Sequence, residues 1–90
     1  MTNQIILASL AMDLKRAALG LNRKSYPMAQ RFLLEAIKRK KELNQQTLLP
    51  YIKEVLNQIE QLPNRDINHQ SEDALMYSTL IQNYAVNNKT

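Results

Sequence analysis

Ninety residues with a formal charge of +4, 44% hydrophobic and 22% charged, suit one small domain with a modest core, not a disordered chain or a membrane protein. The chain has no cysteine, which excludes disulfides, thiolate catalysis and thiolate metal sites. One glycine and three prolines leave little turn material, so long helices with few breaks fit better than many short strands.

The first helix is expected over about 3–21, with Thr2 or Asn3 as its cap. Leu7, Leu10, Leu14, Ala17 and Leu21 step by three and four, the seam of a helix packed along a partner. Ile5, Ala8, Met12 and Leu19 project from another side at 100° per residue, so this helix is either central or dimerises. The apolar run Ile5 to Met12 is read as a buried helix and not as a signal-peptide core, because no Lys or Arg precedes it and Asp13, Lys15 and Arg16 follow.

Gly20 comes near the end of this helix and Asn22 to Ser25 read as a short connection, with Ser25 capping a second helix over about 27–43 and Pro27 in its first turn. Ala29, Phe32, Leu33, Ala36, Ile37 and Leu43 form its apolar stripe, and Leu34 lies away from it. Toward its end, Lys38, Arg39 and Lys41 are expected to point outward, while Lys40 lays its stem along the core edge with its ammonium in water. Cations at a helix C-terminus also suit the helix dipole.

A third helix is expected over about 48–62, capped by Thr47, with Pro50 tolerated in its first turn and Pro63 ending it. Leu48, Ile52, Val55, Ile59 and Leu62 form its stripe. After a polar connection from Pro63 to Gln70, Ser71 reads as the cap of a fourth helix over about 72–86, with Glu72 and Asp73 as first-turn acids. Its expected inner face is Ala74, Tyr77, Ile81 and Tyr84, with Leu80 alongside and the tyrosine hydroxyls at the rim of the core. Residues 87–90 are expected to fray. One helical domain over 1–90 results. The predicted fold is all-α, an antiparallel up-down-up-down four-helix bundle, with two hairpins completed by a second copy as the other arrangement.

Chemistry is sparse. His69 is the single histidine, and a metal site needs three or four convergent ligands, so neither metal nor cofactor is expected. No Glu-x-x-His pair suits a bundle di-iron centre, no serine has a local partner that marks a nucleophile, and no Gly-rich loop cradles a phosphate. The chain therefore reads as non-enzymatic. Its charge is uneven: ten basic residues face three acidic ones through Lys53, giving +7, and two face five beyond it, giving −3.

Two surfaces follow. Ile5, Met12, Leu19 and Leu34 form a candidate self-association face, which makes a homodimer or another protein the expected partner. Arg23, Lys24, Arg31, Lys38, Arg39 and Lys41 form a candidate anion-binding patch, the basis of an alternative reading as a nucleic-acid-associated accessory protein. Aromatic and basic residues are not interleaved, which disfavours that alternative. No stretch approaches the ~20 apolar residues that span a bilayer, so the expected setting is cytoplasmic and without membrane contact.

Overall fold

The computed structural model describes residues 2–87 and contains four helices: α1 (Asn3–Asn22), α2 (Tyr26–Lys40), α3 (Pro50–Ile59) and α4 (Ile67–Asn87). Short 3₁₀ turns, Gln45–Thr47 and Leu62–Asn64, lie either side of α3. No strand occurs among the described residues. The path is the expected up-down-up-down bundle. Three side-chain bonds hold α1 and α4 antiparallel: Gln4 Nε2 donates to the Ala85 carbonyl at 2.9 Å, Ser78 Oγ to the Ala11 carbonyl at 2.7 Å, and Ser71 Oγ to Asn22 Oδ1 at 2.7 Å. On the other flank of α1, Gly20 meets Ala29 and Arg16 lies over the Phe32 ring, so α2 also runs antiparallel to α1. Helix α1 is thus central, and one chain closes the core without a second copy.

The core is built mainly on the stripes read from the sequence, with Phe32, Ile37 and Val55 only partly buried at its edge and Ile6, Ala11, Ala18 and Ala85 added to it. Leu7, Leu10, Leu14 and Ala17 from α1 meet Ala29, Leu33 and Ala36 from α2, Ile52 and Ile59 from α3, and Ala74, Ile81 and Tyr84 from α4, all buried. Each large aliphatic group removed from water in this way contributes about 1.5–3 kcal/mol. Leu56, absent from the predicted stripe of α3, is fully buried too. Leu80 is 39% exposed and gives way to Ser78 and Ala85 on the inner face of α4.

Several boundaries differ from expectation for local reasons. Gly20 sits inside α1, where a Cβ would stand 3.1 Å from the Ala29 Cβ, so its missing side chain lets α1 and α2 approach closely. Helix α1 ends later, in a Schellman motif. The Ser25 N–H donates to the Gly20 carbonyl at 2.8 Å and the Lys24 N–H to the Leu21 carbonyl at 3.1 Å, with Lys24 at φ 61°. Ser25 makes no side-chain cap bond to α2.

Helix α2 stops at Lys40, three residues short, yet Leu43 still reaches the core. Helix α3 is shorter at both ends because proline restricts the residue before it. Leu49 is extended at ψ 150°, so the helix starts at Pro50, and Leu62 enters the core from a 3₁₀ turn that contains Pro63. Thr47 is therefore not its cap. The Thr47 hydroxyl instead accepts from Asn3 Nδ2 at 3.0 Å, while Asn3 Oδ1 accepts from the Asn44 N–H at 2.9 Å, which ties the loop after α2 to the start of α1.

Helix α4 begins five residues before the expected start. Asp66 accepts the His69 N–H at 2.9 Å and its carbonyl accepts the Gln70 N–H at 2.8 Å, the arrangement of an N-cap. Ser71 is thus within the helix, and Glu72 and Asp73 fall in its second turn. The segment before α4 is strapped down: Gln70 Nε2 donates to the Arg65 carbonyl at 2.9 Å, and Arg65 donates to Asp73 at 2.8 Å, Gln58 at 2.6 Å and the Tyr77 hydroxyl at 3.0 Å. The Tyr84 hydroxyl accepts the Leu49 N–H at 3.2 Å, so both tyrosine hydroxyls do reach the core rim. The expected fraying beyond Asn87 lies outside the described residues.

Candidate functional site

The outer side of α1 is set by what its flanks must touch. Ser78 bonds to one flank at Ala11, and Arg39 bonds to the other at Asp13, so the arc between them faces water. Ile5, Met12 and Leu19 occupy this arc at 50%, 44% and 42% exposure. They are seven residues apart, so they drift only ~20° per step and span about 21 Å of helix. Across a groove of about 350 Å³, lined by Met12 and Lys15 from α1 and by Leu75, Thr79 and Gln82 from α4, the apolar surface continues. Leu75 stands beside the groove, and Val86 lies further along the same shoulder of α4, eleven residues on.

Leu34 does not join this face. Phe32 is on the α1 side of α2, under the Arg16 guanidinium, and two further residues turn the helix by ~200°. Leu34, 62% exposed, therefore looks away from Ile5, Met12 and Leu19.

The six candidate anion-binding residues do not converge. Arg23 and Lys24 sit at the α1–α2 turn, whereas Lys38 and Lys41 sit at the far end of α2, about 20 Å along its axis. Arg31 lies between them, separated from Lys38 by about 10 Å and by Glu35, which stands four residues after Arg31 and three before Lys38. Arg39 is not an outward cation. Its Nε donates to Asp13 Oδ2 at 2.6 Å, and that hydrogen bond, with the Coulomb attraction of the same carboxylate next, holds the guanidinium above its usual pKa. The Asp13 side chain is only 5% exposed, with Arg16 Nη1 at 3.7 Å from its other oxygen. Lys40 departs from the expectation of an ammonium held in water: its side chain is only 12% exposed, and the ammonium meets Glu60 at 2.9 Å and Asn57 at 3.2 Å.

The buried Asp13 was not foreseen. Its spacing carries the signal: three residues after Leu10 and four before Ala17, it lies on the flank of the seam. Among the described residues no group of three His, Asp or Glu could hold a metal ion, and no buried side-chain polar atom lacks a hydrogen-bond partner. His69 and Asp66 are both exposed, 2.7 Å apart at the start of α4. The Asp66 side chain raises the His69 pKa chiefly through their hydrogen bond, and the His69 backbone N–H is the main cause of the lowered Asp66 value. No helix among the described residues is long and apolar enough to cross a membrane. No family model matches the chain, and neither a curated protein nor a solved structure is found to be similar to it.

Proposed function

We propose that this chain is a small non-enzymatic helical module of the cytoplasm that acts through protein contact, self-associating on the outer side of α1 and α4. One observation carries the reading: Ile5, Met12 and Leu19 stand in a row on the central helix, half in water, with Leu75 lining the adjoining groove and Val86 exposed further along α4. Single exposed apolar residues are ordinary, whereas a row of them along one surface marks a contact site. A surface two helices wide and the length of α1 offers about 600 Å² per copy, or ~1,200 Å² in a dimer, the lower end of specific interfaces. Light scattering at micromolar concentration tests it. The expected result is a mass above that of one chain, and a strictly monomeric protein rejects self-association.

The alternative reading, an accessory protein for nucleic acid, draws on the exposed Arg23, Lys24, Arg31, Lys38 and Lys41. Titration with duplex DNA, single-stranded DNA and RNA at two salt concentrations tests it, since phosphate contacts impose a steep salt dependence. Undetectable binding at low salt rejects it.

A further inference from the structure

We infer that the self-association partner is a second copy of this chain placed antiparallel across a two-fold axis through Met12. This rests on the self-association reading and specifies its geometry. An isologous interface must be complementary to itself, and the exposed row on α1 has that property. Ile5 and Leu19 lie seven residues on either side of Met12, so a two-fold axis at Met12 sets Ile5 of one copy against Leu19 of the other. The same operation sets Ala8 against Lys15 on the flank toward α4 and Ser9 against Arg16 on the flank toward α2. Ala8 and Ser9 are the smallest side chains on this arc, and Lys15 and Arg16 are the longest and exposed, so each bulky stem crosses over a gap.

Charge selects the same arrangement. Lys15 and Arg16 are the two cations on this side of α1, and the carboxylate nearest them, Asp13, is shared between Arg16 at 3.7 Å and Arg39 at 2.6 Å, so the segment keeps a net positive charge. In a parallel pair the two cationic segments would lie on each other, like charges opposed across a desolvated contact. The antiparallel pair sets each of them against the neutral stretch Ile5 to Ser9 of the other copy, which removes the repulsion.

Because the chain has no cysteine, single cysteines report the geometry directly. A disulfide requires Cα atoms about 4.4–6.8 Å apart, close to facing positions at a helix–helix contact. Met12→Cys, which lies on the axis, is expected to form a disulfide-linked dimer on mild oxidation. Ile5→Cys alone and Leu19→Cys alone are expected to stay unlinked, and a mixture of the two, one carrying a size tag, is expected to give the mixed disulfide. Sedimentation of the unsubstituted protein is measured alongside. If Ile5→Cys links to itself while the unsubstituted protein is dimeric, the arrangement is parallel and this inference alone is overturned. If the protein is dimeric but neither Met12→Cys nor the mixture links, another face is used and the α1 site is wrong. If it is monomeric at every concentration, self-association itself falls, and the apolar row is left for a different protein.

Discussion

At the scale of single residues, Asp13 and Lys24 are under the greatest local constraint. Arg39 is the close partner of a carboxylate taken almost wholly out of water, at 2.6 Å. Removing Arg39 takes away the short bond to that carboxylate and leaves Arg16, at 3.7 Å, as its remaining cation. Because Arg39 is itself 35% exposed, Arg39→Met is expected to lower stability by about 1–2 kcal/mol, while Arg39→Met combined with Asp13→Leu recovers much of the loss. Urea titration of the three proteins measures this, and an additive double variant would contradict the pairing. Lys24 holds a left-handed backbone at φ 61°, a conformation that costs a residue with a Cβ about 1 kcal/mol. Lys24→Gly keeps the Schellman bonds and should raise stability by about 0.5–1 kcal/mol, a gain of a few degrees in Tm.

His69 and Asp66 give a pH signature at the same scale. Asp66 raises the His69 pKa above 6.5, so this contribution is complete below 6.5 and lost as pH rises through the raised value. The Asp66 pKa is lowered from 3.8, so its contribution is complete above 3.8 and lost as pH falls through the lowered value. The start of α4 is therefore firmest between these two pH values. An NMR titration should place His69 above the ordinary histidine value, and Asp66→Asn should bring it back down. An unchanged midpoint in that variant would exclude the pair.

At the scale of elements, the tightest junction is α1 against α2 at Gly20. The atoms it meets are the Ala29 Cβ and backbone, which belong to another helix and cannot swing aside. Gly20→Val forces the two helices apart and is expected to cost about 1–3 kcal/mol by overpacking, measured by thermal unfolding. A neutral result would mean that the helices are not closely apposed there.

The apolar periodicity made the four helices and most core residues legible, since Leu7, Leu10, Leu14, Leu33, Ile52 and Ile81 could be placed inside from spacing alone. The ends were harder, because they depend on polar groups with two roles. Asp66 and Ser71 are both good caps, and only the tertiary bond from Ser71 to Asn22 and the strap through Gln70 and Arg65 decide for Asp66. The same holds for the surfaces. The exposed row on α1 could be read from a 100° turn per residue, but the loss of Arg39 from the basic patch required knowing that α2 lies beside Asp13. Leu34 was grouped with Ile5 for being apolar, and it falls elsewhere because the side of α2 that touches α1 is fixed by Ala29 and Phe32.

For the whole molecule, the bundle closes its own core and still leaves an apolar row along its central helix. The two facts together set the expected behaviour: folding does not require a partner, and association adds to a fold already complete. Charge on that row should therefore abolish association without unfolding the chain. Met12→Glu combined with Leu19→Glu places two carboxylates on a surface already in water, and the helical signal in circular dichroism should be unchanged. The most direct test is the molar mass of the unsubstituted protein and of this double variant by light scattering at the same micromolar concentration. The prediction is twice the 10.4 kDa of one chain for the first and 10.4 kDa with full helicity for the second. A single-chain mass for the unsubstituted protein, or a double variant that loses its helices, would contradict the account.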